Sequence, residues 1–387
     1  MTNAAIALSR LSGSEAGEEL GAGIMEQLGG ASPDALIVFA SPDQDHVALL
    51  QALTSACRPG VLVGCSSAGE FTSEDAGVGM TCAVALAAPE MRFAAAVGRG
   101  LRADRAAAAE QLVAGFRGLQ TPGYRHHAAL VLTDALAGFA DDLVDRLSLL
   151  TGGVYRFFGG GAGDDARFEH TVVFCGTEVV SDAAVALEIL SNKPVGVGVR
   201  HGWAPGGEPM RVTAAEGMRL GSLNAVSAVE IFDAHASATG QSFDHGEPVP
   251  FFLHNVLGVE SAEGYRLRVP LAVGEDGSIA CAADVPAGGA ACIMTTTPAS
   301  AAEAAAEATR MALGQMEGNE TAVALVFDCV ATRLRLGQEF GVELAAVQRE
   351  LGGVPLAGFN TYGQVAQAEG QFSGFHNCTA VVCTIPR

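Results

Sequence analysis

The chain has 387 residues, 49% of them hydrophobic and 17% charged, which is enough apolar material for a sizeable core and too much for a disordered chain. Its 43 acidic residues against 22 basic ones give a formal charge of −21, which disfavours nucleic acid and anionic membrane surfaces and chiefly serves solubility. No apolar run approaches the ~18–20 residues of a membrane helix, no secretion signal is read at the start, and nine scattered cysteines without a CxxC pair fit free thiols in a reducing cytoplasm.

After an N-terminal segment, residues 1–30, one plan recurs three times. In the first copy DALIVFASP (34–42) is a strand, HVALLQALTSAC (46–57) a helix and GVLVGCSSAGEF (60–71) a strand ending in a glycine turn. In the second, HAALVLTD (127–134) is the strand, FADDLVDRLSLLTG (139–152) the helix and VYRFFGGGAGDD (154–165) the strand and turn. In the third, TAVALVFDC (321–329), VELAAVQRELGG (342–353) and VPLAGFNTYGQV (354–365) play the same parts.

The third helix is read from its period: Leu344, Val347 and Leu351 share a face, while Glu343, Gln348, Arg349 and Glu350 turn mostly away from it. A continuously apolar strand such as Leu36–Phe39 is expected where both sheet faces are covered.

Each copy runs on into a further strand-like stretch: MTCAVALAAP (80–89), TVVFCGTEVV (171–180) and CTAVVCTIP (378–386). Between the second and third copies the texture changes. Short β-rich runs around 195–213 and 265–297 are broken by Gly and Pro, Glu275–Ser278 reads as a hairpin turn, and Ser300–Leu313 is an Ala-rich helix.

The fold class is therefore α/β, with layered sheets built from repeated strand–helix–strand units joined by right-handed crossovers. A helical block beginning at Ala225 sets the division into two tightly associated domains, 31–224 and 225–387.

The three turns, VGCSSAGEF, FFGGGAGDD and AGFNTYGQV, align on Gly69–Glu70, Gly163–Asp164 and Gly363–Gln364. They leave the carboxyl ends of strands, where open α/β sheets bind ligands. The expected ligand contacts are Cys65, Ser66, Ser67 and Glu70 from the first turn and Gly161, Asp164 and Asp165 from the second. Thr361, Tyr362 and Gln364 come from the third, with Asn377 beyond it. Glycine lets the backbone approach a ligand, and hydroxyls with carboxylates orient a polar one; the plainer reading makes the glycines tight strand exits only.

Neither a GxxxxGK[ST] loop, a GxGxxG fingerprint nor a GxSxG elbow is present, so no catalytic residue is assigned. A metal site would require Asp164, Asp165 and Glu70 to converge, and a solvated acidic turn is the plainer reading. His376, in GFHNCTAVV, is read first as a core or capping histidine and second as an axial haem ligand. His254 follows it, and the adjacent His126 and His127 would point to opposite faces of a strand.

VGCSSAGEF, FFGGGAGDDARFEHTVVF (157–174), SDAAVALEIL (181–190), PLAGFNTYGQV (355–365) and FHNCTAVV (375–382) together resemble the FIST family of sensory proteins, with N-terminal and C-terminal FIST domains. The resemblance implies a cytoplasmic sensory module for small, amino-acid-like ligands, signalling through a separate partner such as a histidine kinase. One branch of the family is similar to haemoproteins that sense nitric oxide and control a kinase. The last turn usually carries Glu where Gln364 stands, which removes a charge from that turn.

The leading expectation is a non-enzymatic small-ligand sensor working in signal transduction. The alternatives are a haem-binding nitric oxide sensor and a small-molecule hydrolase using Cys65 or Ser66 as nucleophile.

Overall fold

The computed structural model describes residues 1–367 and 374–387. The first repeat comprises β1 (Asn3–Ser9), α1 (Gly13–Gln27), β2 (Ala35–Ala40), α2 (His46–Cys57), β3 (Val61–Ser66), the hairpin β4 (Glu70–Thr72) and β5 (Ala76–Gly77), and β6 (Thr81–Ala87). The N-terminal segment thus supplies the edge strand and a helix of the first unit. The second repeat follows the same order: β7 (Arg92–Arg99), α3 (Arg105–Ala114), β8 (His126–Thr133), α4 (Ala140–Leu150), β9 (Tyr155–Gly161), the hairpin β10 (Val173–Cys175) and β11 (Glu178–Val180), and β12 (Ala183–Ser191).

The third repeat starts with β13 (Gly196–Arg200) and is then interrupted by a long insert. The insert runs through β14 (Trp203–Pro205), β15 (Met210–Glu216), β16 (Arg219–Leu223), β17 (Val226–Ser227), α5 (Ala228–Thr239), α6 (Val249–Phe252), β18 (Val256–Ser261), β19 (Gly264–Arg268), β20 (Pro270–Val273), β21 (Ile279–Cys281) and β22 (Ala290–Thr296). The plan resumes with α7 (Pro298–Gly314), β23 (Thr321–Cys329), α8 (Val330–Leu336), α9 (Phe340–Leu351), β24 (Leu356–Thr361), the hairpin β25 (Gln364–Ala366) and β26 (Gly374–His376), and β27 (Ala380–Pro386).

Each repeat builds the same four-strand core. β1 lies antiparallel to β6, β6 antiparallel to β2, and β2 parallel to β3. The orders β7–β12–β8–β9 and β13–β27–β23–β24 reproduce it. The hairpin of each repeat leaves its own sheet and completes another. β4–β5 pairs with β24 of the third repeat, β10–β11 with β3 of the first, and β25–β26 with β9 of the second. This cyclic exchange gives the molecule a pseudo-threefold axis.

The inner faces of the three sheets meet in one core, where Phe39 stacks on Phe359 at 4.5 Å and lies edge-on to Phe327, which in turn touches Phe158. β2, β12 and β27 are buried along their whole length, which is why their sequences are apolar at every position rather than alternating. Helix pairs cover the outer faces. α1 and α2 approach so closely at Gly17 that a Cβ there would lie 2.5 Å from the Leu49 carbonyl oxygen.

The insert forms a nine-stranded antiparallel sheet, and Glu275–Ser278 makes the turn between β20 and β21 as expected. Its apolar face, including Trp203, Val256, Leu267 and Met294, packs on Cys329, Ala331 and Cys378 of the third repeat.

Two expectations need correction. TVVFCGTEVV is not a long strand but the exchanged hairpin β10–β11, and SDAAVALEIL supplies the long strand equivalent to β6 and β27. Glu343 does not face solvent; it is buried against Asp328. Among the described residues no helix is long and apolar enough to cross a membrane.

Candidate functional site

The hairpin exchange draws the three glycine turns to the axis, where they join in a closed ring of backbone hydrogen bonds. Ala68 N–H donates to the Asn360 carbonyl at 3.0 Å and Asn360 N–H to the Gly69 carbonyl at 2.8 Å. Gly161 N–H donates to the Gly363 carbonyl at 2.8 Å and Tyr362 N–H to the Gly161 carbonyl at 3.0 Å. Gly163 N–H closes the ring on the Ser66 carbonyl at 2.9 Å. Glycine is required here by space: a Cβ on Gly163 would sit 2.7 Å from Ala68, and one on Gly363 would strike the Phe375 ring.

Several polar side chains of the turns bond within the ring. Ser67 donates to Glu70, whose other oxygen accepts the Met80 N–H at 3.1 Å. Glu70 is fully buried, and burial pushes its carboxyl up to about 8, despite the Ser67 and Met80 donors. Gln364 repeats the pattern, donating to Thr361 Oγ1 at 2.6 Å and accepting from Thr379 N–H.

Asp164 collects the N–H groups of Phe168, Glu169 and His170 at 2.7–2.8 Å and the hydroxyl of Tyr362. It anchors loop 165–170, in which Asp165, Ala166 and Phe168 all take left-handed backbone conformations. Ser66 Oγ accepts from Val172 N–H, and Cys65 is buried in the common core with its thiol pushed up by that burial. The carboxylates of Glu70 and Asp164 are thus both engaged by groups of the protein itself. Among the described residues no cluster of three or more His, Cys, Asp or Glu side chains could hold a metal ion.

One polar group of side chains beside the ring is unsatisfied. Among the described residues Asp165 Oδ1, Arg333 Nε and Asn360 Nδ2 are buried without hydrogen-bond partners, and Arg333 lies within electrostatic reach of Asp165 and Glu70.

A cavity of about 990 Å3 opens between the ring and the insert, with Tyr362 and Val330 in its wall. The insert contributes Met218, Leu271, Val273 and Ala280; the second repeat contributes Leu136, Phe139 and Phe168; the third contributes Cys329, Val330, Tyr362 and Asn377. Phe168 stacks on Tyr362 at 4.5 Å, forming part of the rim. The two charged residues of the lining, Glu216 and Arg219, are exposed, and Arg219 pairs with Asp276. Asn377 is 3% exposed, and its Oδ1 is buried with no donor among the described residues.

Of the residues expected from sequence, Tyr362 and Asn377 line this cavity; Cys65, Ser66, Ser67, Glu70, Gly161, Asp164, Asp165, Thr361 and Gln364 are not among its lining residues. Sequence reasoning missed the insert wall and Cys329. A repeat search discards non-repeating segments, and Cys329 reads as one more apolar strand residue.

His376 does not fit a haem ligand in this cavity. It lies on β26, paired with Gln364, outside the lining; burial and the nearby Arg266 and Arg268 depress its imidazole to about 3. Among the described residues no histidine lines the cavity.

A threefold α/β core whose turns converge beside a large apolar cavity defines a small-ligand-binding module. The chain belongs to the FIST family: the FIST N domain model matches residues 34–226 and the FIST C domain model residues 228–367. These domains belong to sensory signal transduction and small-ligand binding. No curated protein matches the sequence. Among solved structures, the chain is similar to cyanuric acid hydrolase from A. caulinodans, at 9% identity over 100% of both chains with a TM-score of 0.35. It is also similar to phosphoribosylformylglycinamidine synthase II from Thermotoga maritima, at 12% identity over 99% of this chain and 71% of that one, with a TM-score of 0.23.

Proposed function

We propose that this protein is a cytoplasmic sensor that holds a small, largely apolar ligand between the insert and the ring of turns. The supporting observation is an apolar cavity of about 990 Å3 walled by the insert and by two of the repeats. Small-molecule sites run to ~300–1,000 Å3, mostly apolar with a few placed polar groups. The apolar lining fits a largely apolar body rather than a free amino-acid zwitterion.

The walls come from the insert and from two repeats, so a ligand that touches all of them binds one arrangement of insert and ring more tightly than another. That difference is what a separate signalling partner, with a histidine kinase as the first candidate, would read. Binding rather than turnover is the function: the nucleophiles of the hydrolase alternative, Cys65 and Ser66, are buried away from the cavity.

An anilinonaphthalene sulfonate dye tests the reading. The wild-type protein is expected to bind it with enhanced fluorescence, and Ala280→Trp, which fills the cavity from the insert side, is expected to abolish the enhancement with the fold intact by circular dichroism. Equal enhancement in both proteins would refute the assignment.

A further inference from the structure

The charged residues that line the cavity stand together at one turn. Glu216 and Arg219 close the tight turn between β15 and β16, where they pair in register, and both are exposed to solvent as well as to the cavity. Phe139 of the second repeat faces this turn: a Cβ on Gly217 would lie 3.7 Å from its ring, and the side chain is 37% exposed. The rest of the lining is mainly apolar, as with Leu271, Val273 and Ala280 of the insert and Leu136 and Val330 of the repeats. A cavity with its charges gathered at one exposed turn and apolar walls elsewhere suits an amphiphile, whose head stays at the turn while its body is buried.

The sign of the head group follows from which charges at this turn are already matched. Arg219 donates from Nε to Ser278 Oγ at 2.9 Å and pairs with Asp276. Arg105 lies 4.4 Å from the centre of the Phe139 ring and holds Asp142 at 3.1 Å. Each arginine thus has its own carboxylate. The Glu216 carboxylate has no hydrogen-bond or ion-pair partner among the described residues. The charge left over is therefore negative, in a chain with 43 acidic residues against 22 basic ones. An anionic head at this turn meets an unmatched like charge, whereas a cationic head matches it. Phe139 supports the same sign, because an aromatic ring attracts cations over its face, as it does Arg105.

We propose that the ligand is an amphiphilic cation, an apolar amine whose body fills the cavity and whose ammonium group pairs with Glu216. This rests on the cavity being the ligand site and adds the charge of the head group to it. An ion pair in contact with water is weak, so the apolar body supplies most of the affinity and Glu216 supplies the preference between head groups.

The test titrates decylammonium, 1-decanol and decanoate, which share one chain length, into the full chain at neutral pH and low salt, below their micelle concentrations. Displacement of Nile red reports binding; an uncharged dye is used because a sulfonate would itself meet Glu216. Decylammonium should bind about threefold more tightly than 1-decanol, the size of effect an exposed ion pair gives, and decanoate should bind most weakly. Glu216→Gln should weaken decylammonium by about the same factor and leave 1-decanol unchanged, and Glu216→Lys should place decanoate ahead of decylammonium. High salt should shrink the wild-type preference. Three ligands that bind the wild type alike, or a ranking that both Glu216 variants leave unchanged, overturns the proposal while the cavity reading stands. If none of the three displaces Nile red, or if Ala280→Trp binds them as the wild type does, the cavity reading falls with it.

Discussion

Glu70 and Gln364 occupy the same place in two turns related by the pseudo-threefold axis, and each closes its turn onto the hydroxyl three residues earlier, Ser67 or Thr361. Each also accepts a backbone N–H from the chain returning after the exchanged hairpin, Met80 in one and Thr379 in the other. The third turn has Gly161 where the hydroxyl would be, and Asp164 turns instead to the loop amides and to Tyr362. One position thus carries an acid, an amide and a second acid for architectural reasons.

The first prediction follows from that equivalence. Glu70 keeps its proton in the fold up to about pH 8, while the unfolded chain releases it near 4.5. Its contribution to stability therefore falls as pH rises between those values, at up to about 1.4 kcal/mol per pH unit. Glu70→Gln keeps the two hydrogen bonds, as Gln364 does, and has no proton to lose. Urea unfolding at a series of pH values should show a flatter profile for the variant, which should equal or exceed the wild type above pH 8. A steeper fall in the variant would contradict the assignment.

Asp164→Ala removes the acceptor of three loop N–H groups and the Tyr362 hydroxyl. Charged hydrogen bonds contribute ~1.5–3 kcal/mol each and are not additive, so a loss of about 2–4 kcal/mol is expected. Hydrogen exchange should localise the change to the amides of Phe168, Glu169 and His170. A global loss without faster exchange there would point to a different role.

Much of this was legible in the sequence, and the limits have physical causes. The repeated strand–helix–strand plan showed because buried strands and amphipathic helices carry local periodicity, as in Leu36–Phe39 and Leu344–Leu351. The hairpin exchange did not show, because pairing β10 with β3 or β25 with β9 depends on residues far apart in sequence. The turns were found, but not that Ser67 meets Glu70, Thr361 meets Gln364 and Tyr362 meets Asp164. Polarity in a glycine turn does not reveal which way a hydroxyl or carboxylate points. Leu271, Val273 and Ala280, which wall the cavity, sit in short irregular strands with no repeat to mark them.

The ring itself should tolerate no side chain at Gly363. Its φ of 100° lies in the region that favours glycine, and an added Cβ would fall 2.0 Å from the Phe375 ring. Strain and collision act together, so Gly363→Ala should cost more than about 3 kcal/mol and lower the melting temperature clearly. Gly352→Ala is the control. It also has a positive φ, of 60°, but nothing within 4 Å of an added Cβ, so it should cost only about 1 kcal/mol. Equal effects would show that collision at the ring contributes nothing.

Phe168 separates ligand binding from stability. Its side chain is 46% exposed, yet it lines the cavity rim and stacks on Tyr362. The loop that carries it is held by backbone donors to Asp164, which a side-chain truncation leaves in place. Phe168→Ala should therefore change the unfolding free energy by less than about 1 kcal/mol, because little buried surface is lost. Dye binding should weaken by roughly twofold to tenfold, corresponding to the ~0.5–1.5 kcal/mol of an aromatic contact, with the change mainly in a faster off-rate. Stopped-flow fluorescence gives both rates. Unchanged binding kinetics would remove Phe168 from the rim of the site and leave that side to Tyr362, Leu136 and Phe139.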